Sequence, residues 1–213
     1  MDDMTPRHAA SAAYVAAAIN LAAGIAMLLA LRHGVPAGED ELTARIAYIA
    51  DHTLVWRAGW LIWNVAAISL LGFFVALAAR WRERAPILCG LALLCAAAGL
   101  AADLAAETIL AVVSPGLRGE TFAVVESIAI SLTGFLGNGL YAVAGILLTV
   151  AGRRELPRAL LGLAAAVWVM AVWLSASTLV SSATGQFASA ALLMPLFVLW
   201  AGLTGRWLSA RAS

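Results

Sequence analysis

Six stretches of this chain run for twenty or more residues with almost no charge: about 10–31, 58–80, 86–113, 123–151, 158–180 and 186–208. Each exceeds the roughly 20 residues that a helix needs to cross a hydrocarbon core of about 30 Å. Inside lipid every backbone N–H and C=O must find its partner within the protein, which leaves helices and closed barrels. A barrel would show short alternating segments, and none are visible. The chain is 63% hydrophobic and 12% charged, more apolar surface than a soluble domain of 213 residues could hide. The expected fold is all-α: one integral membrane domain over 1–213, a polytopic bundle of six transmembrane helices. The first run follows a short polar start, MDDMTPRH, and is too long for a cleaved signal peptide, so it reads as a retained anchor.

All thirteen basic residues are arginine, and their placement gives the threading. RWRERAP (Arg80 to Pro86) and GRRELPR (Gly152 to Arg158) each hold three arginines, and each supplies a proline for a helix start. With the two termini, these connections carry nine arginines. The opposite side carries four: Arg32, Arg45, Arg57 and Arg118. The positive-inside bias puts both termini in the cytoplasm. Trp81 and Trp207 are expected at the inner interface, Trp56 and Trp60 at the outer one. Pro195 should kink the sixth span, and Gly134, Gly137 and Gly139 should let a neighbour approach the fourth closely. Cys89 and Cys95 point to different faces of one apolar helix and read as reduced, packed side chains.

One connection has structure of its own. GEDELTARIAYIADHTLVW (Gly38 to Trp56) places Leu42, Ile46 and Ile49 on one face and acids at its start, where the helix dipole favours them. It predicts a short amphipathic helix over about 39–54, lying on the outer surface, with Arg45 and Asp51 away from the apolar face. RERAPILCGLA and RRELPRALLGLA each follow a span bearing one asparagine, Asn64 or Asn138, a faint repeat that duplication and an Ala/Leu-rich composition explain equally well.

The polar residues of the spans are one-sided. AADLAAETIL puts Asp103 and Glu107 four apart, on one helical face. At 1.5 Å per residue from Pro86, they lie about 25 and 31 Å across. Glu126, Asn64, Arg57 and His52 fall at a similar level, as do Trp60 and Trp63 beside Asn64. A mid-bilayer acid costs roughly 2.5–3.5 kcal/mol, less toward the interface, so such acids call for a reason. Three readings stay open. The first is an outward-facing polar pocket, walled by Asp103, Glu107, Glu126, Asn64, Arg57, His52, Trp60 and Trp63, for binding, sensing or passage of a small ligand or cation. The second is a membrane-embedded, metal-dependent hydrolase at the outer leaflet, with Asp103, Glu107, Glu126 and His52 enclosing a divalent metal. The third is a structural or accessory subunit in which Asp103 or Glu107 pairs with Arg57 or Arg118 and staples helices together.

Other chemistries have less to stand on. A proton conduit needs polar steps across the membrane, and Asn20, Asn64 and Asn138 are few. No Gly-x-Ser-x-Gly elbow is present for a serine nucleophile, and the spans lack the paired histidines that haem would need. A net charge of +1 gives no ground for a nucleic-acid partner; the lipid bilayer is the expected surrounding.

RIAYIADHTLVWRAGWLIW leads into the second span, and NGLYAVAGILLTVAGRRELPRALLGLAAAVW joins the fourth to the fifth. The aromatic-Arg-Gly-aromatic entry at Trp56, Arg57, Gly59 and Trp60, with the Leu-Pro-Arg turn at Leu156 to Arg158, resembles bacterial six-helix inner-membrane proteins classed as domains of unknown function. The resemblance covers most of the chain. It implies the fold and the topology, and it transfers no catalytic residue.

Overall fold

A computed structural model describes residues 6–36 and 41–211. The described chain is helical throughout, with no strand among the described residues. Six helices are long and apolar enough to span a membrane: Arg7–Leu31, Thr53–Trp81, Pro86–Gly116, Gly119–Gly152, Arg158–Leu179 and Ala183–Ser209. The chain is therefore a multi-pass helical membrane protein. We label its helices α1 (Pro6–Ala26), α2 (Leu42–Asp51), α3 (Thr53–Trp81), α4 (Pro86–Thr108), α5 (Gly119–Ile130), α6 (Asn138–Gly152), α7 (Arg158–Leu179) and α8 (Ala183–Ser209).

Consecutive spans are antiparallel neighbours, joined by short turns except where α2 stands between the first two, and the last span returns to the first. α1 packs on α3, α3 on α4, α4 on α6, α6 on α7, α7 on α8 and α8 on α1, closing a ring. Small residues let the ring tighten: a Cβ on Gly205 would stand 3.0 Å from the Tyr14 ring, and Gly145 and Gly152 lie directly against Trp168 and Trp81. The main core is rich in alanine, with Phe73, Phe74, Trp168 and Trp200 set edge-on or tilted against one another. A second, smaller core lies at the other end, where Leu31, Ile46, Ile49, Trp56, Trp60, Ala106, Leu110 and Phe122 meet.

Three wide, π-type turns interrupt the spans: Met27–Leu31 after α1, Ile109–Val113 after α4, and Ser131–Gly137 between α5 and α6. Such turns often mark functional positions, because they free carbonyls and rotate the side chains that follow. In the third, the Thr133 carbonyl accepts from Asn138 twice, from its backbone N–H and from its side-chain amide at 2.9 Å. α8 runs unbroken through Pro195.

The tryptophans depart from the expected belt. Trp56, Trp60 and Trp81 are buried rather than turned to the interface. Trp56 donates its indole N–H to the Leu110 carbonyl at 2.6 Å, and Trp81 fills the notch at Gly152. Packing between helices claims these rings before the interface can. Cys89 and Cys95 are both free thiols, the first buried and the second half-buried.

The amphipathic helix is present as α2, shorter than expected. The acids Glu39 and Asp40 lie outside the described residues. Its apolar face is the predicted one, with Ile46 and Ile49 buried and Leu42 half-buried. Arg45 is also buried, contrary to expectation, and the reason appears below.

Candidate functional site: a buried pair of acids

Asp103 and Glu107 sit on the face of α4 that also carries Gly99 and Ala106. Both acids are buried, at 7% and 2% exposure. Their burial follows from how closely the fourth span comes in. Gly99 lies beneath the Gly137 carbonyl and the Tyr141 ring, where an added Cβ would stand 3.1 Å from each. Gly137 in turn faces Asp103: a Cβ there would lie 2.8 Å from Oδ1. The hydroxyls of Thr133 and Tyr141 lie beside the Asp103 carboxyl, and Glu107 is close enough to act electrostatically on both Asp103 and Tyr141.

These polar atoms are under-satisfied. Asp103 Oδ1, Glu107 Oε2 and the Tyr141 hydroxyl are buried and meet no partner in good hydrogen-bond geometry. Neither acid forms an ion pair among the described residues. Two further hydroxyls come from α7, where Ser175 and Thr178 pack against Gly139 and Gly134 on the far side of the same span. Ser175 Oγ is likewise buried without a partner.

The remaining predicted residues separate from this pair. Glu126 on α5 binds the Arg45 guanidinium of α2 in a buried ion pair, with Arg45 also 5.8 Å from the Phe122 ring centre. That partner is why Arg45 lies on the buried face of α2: a buried carboxylate needs a cation, and this one draws the arginine inward. His52 is exposed and stacks on Tyr48, ring centres 4.6 Å apart, with Nδ1 3.1 Å from the Tyr48 carbonyl. Arg57 is exposed and donates to the Ala111 carbonyl at 3.3 Å, while Arg118 donates to the Pro115 and Leu117 carbonyls. Neither arginine staples Asp103 or Glu107, as the structural reading had expected. Asn64 is half-buried and donates within its own helix, to the Trp60 carbonyl at 3.0 Å. Trp60 is buried edge-on to Trp56 and Trp63 is half-buried; both indole N–H groups lack a partner.

The four residues expected to enclose a divalent metal are thus not drawn together. Among the described residues no group of three or more His, Cys, Asp and Glu side chains forms. The physical reason is local: Glu126 is taken by Arg45, and His52 is held outward by Tyr48. What remains at the acids is an oxygen-only set, Asp103, Glu107, Thr133 and Tyr141, suited by its hardness to a proton or a small hard cation. A surface groove of about 350 Å³ lined by Ser127, Ser131 and four apolar neighbours includes none of the predicted wall residues.

Arg45, Thr133 and Tyr141 were missed by the sequence reading. Tyr141 had a faint signal, lying four residues after Gly137 and so on the face where the close approach occurs. Arg45 had none, because its partner is 81 positions away. No family model matches the chain, and no curated protein and no solved structure matches it.

Proposed function

We propose that this membrane protein binds and exchanges a proton or a small hard cation at Asp103 and Glu107. One observation carries the reading: two carboxyls on one helical face are buried with no basic partner among the described residues, while the neighbouring acid Glu126 has one. An isolated carboxylate in a low-dielectric interior costs several kcal/mol, so each acid must hold a proton or share a cation. Thr133, inside the π-type turn, and Tyr141 add neutral oxygens to the same place. Intramembrane acids with this surrounding serve ion and proton pathways. By the arginine asymmetry the acid-bearing end faces outward from a bacterial inner membrane, so exchange takes place toward that side.

The hydrolase reading has less support, since a metal-activated water needs ligands that gather at one point. The accessory-subunit reading accounts for the Arg45–Glu126 pair and leaves the two unpaired acids unexplained.

The test is proton release on cation addition. Purified protein in weakly buffered detergent, given NaCl or LiCl, should release protons to a pH-indicating dye. Asp103→Asn and Glu107→Gln should each abolish that release while still folding. Elemental analysis of the same samples reads any divalent metal directly. A wild-type protein that neither releases protons nor binds Na⁺ in calorimetry would sink the proposal.

A further inference from the structure

The opposite end of the bundle carries a cluster of the other sign. Glu155, in the α6–α7 turn, accepts from Arg80 at the end of α3 at 2.9 Å and from Arg84 in the α3–α4 turn. Arg211, just beyond α8, lies 3.7 Å from the same carboxylate. One acid therefore gathers three guanidiniums from three separate segments. The Trp207 ring lies under two of them, 5.4 Å from Arg80 and 4.5 Å from Arg211.

One negative charge leaves two of these three positive charges uncompensated. Around them stand Arg82, Arg153, Arg154, Arg158 and Arg206, all exposed and in no ion pair among the described residues. Glu83 is the one further acid at this end among the described residues. Guanidiniums crowded this way repel one another unless an anion sits among them, and their planar donor fork suits phosphate oxygens. Immediately along α4 from Arg84 runs an apolar stripe at helical spacing: Ile87, 75% exposed, then Leu91 and Leu94. Charge and grease thus meet at one edge.

We propose that this rim is a binding site for an anionic phospholipid. Its phosphate lies on Arg84 and the unpaired arginines of the α6–α7 turn, and its acyl chains lie along Ile87, Leu91 and Leu94. The apolar stripe selects a lipid over a free anion, because inorganic phosphate would use only the arginines. Basic clusters at the end of membrane helices bind anionic headgroups through this combination of charge and desolvated apolar contact.

The experiment uses the full chain in a neutral detergent, with phosphatidylglycerol, phosphatidylcholine of the same chains, and inorganic phosphate as three separate additions. Retained lipid is counted by native mass spectrometry, and thermal melts are run in parallel. Phosphatidylglycerol should be retained and should raise the melting temperature; phosphatidylcholine and phosphate should do neither. The doubly substituted Arg153→Gln/Arg154→Gln protein should bind phosphatidylglycerol roughly thirtyfold more weakly, since each such arginine contributes about 1 kcal/mol to the attraction. Its two side chains are exposed and unpaired, so its unliganded melt should match the wild type; Arg158→Gln repeats the test at a separate exposed position. Equal retention of the two lipids, or undiminished binding by both variants, overturns the proposal. Displacement of phosphatidylglycerol by equimolar phosphate would also overturn it, by showing a site for the free anion.

Discussion

Arg45 and Glu126 form an ion pair between α2 and α5 in which 8% of each side chain remains exposed. It ties the short amphipathic helix to the bundle at the end where the acids lie. Ile46 and Ile49 of α2 join Trp56, Ala106 and Leu110 in the same small core, so the pair and the apolar face act together.

Breaking this pair from one side should be costly. Glu126→Gln leaves a buried guanidinium without a counter-charge and should destabilise by about 3–5 kcal/mol. Arg45→Met/Glu126→Leu, which removes both charges, should recover most of that loss. Unfolding in a mixed-detergent titration gives both values, and a double variant no better than the single would contradict the pairing.

Asp103→Asn and Glu107→Gln should behave in the opposite way. Neither substitution strips a partner from a buried cation, so each should change stability by less than about 1 kcal/mol or raise it. The melting curves of the two variants decide this. A loss as large as that of Glu126→Gln would make the acids helix staples.

Gly137→Ala should injure the site through packing alone. The new methyl would stand 2.8 Å from Asp103 Oδ1, with backbone on its other side. Overpacking of this kind costs about 1–3 kcal/mol. Gly72→Ala meets nothing within 4 Å and should be neutral or slightly stabilising, by up to about 1 kcal/mol. Comparing the two by thermal melt and proton release separates a local effect from a general intolerance of alanine.

Trp56→Phe keeps the ring in its buried place and deletes one donor. The Leu110 carbonyl, 2.6 Å from the indole nitrogen and inside a π-type turn, would lose that donor. A buried acceptor left unmade costs about 1–3 kcal/mol. Hydrogen exchange at residues 109–113 should quicken in this variant more than in the main core; uniform exchange would show that the bond does not hold the turn.

The spans were readable because their signal is additive along the chain. Charge-free runs longer than twenty residues admit one answer in lipid, and loops such as RWRERAP mark where each run stops. The α2 face at Leu42, Ile46 and Ile49 was readable for the same reason, as a local period. The close approach at Gly134, Gly137 and Gly139 also followed from residue size, and Thr178, Asp103 and Ser175 fill those three notches. Depth and spacing brought Asp103 and Glu107 forward as a pair, and the fold keeps them on one buried face.

Partnership was a different matter. Glu126 looked equivalent to Asp103 and Glu107 in the sequence, and Arg57 and Arg118 looked like their natural counter-ions. The fold gives Glu126 to Arg45, turns Arg57 and Arg118 onto backbone carbonyls, and leaves the other two acids beside Thr133 and Tyr141. Which side chains meet depends on contacts between residues tens of positions apart. By itself, then, the sequence determined the number of spans and which faces are apolar, since both are sums over neighbouring residues. Only the tertiary structure decided which acid is neutralised and which is left without a cation, because a buried charge is settled by the one group that reaches it.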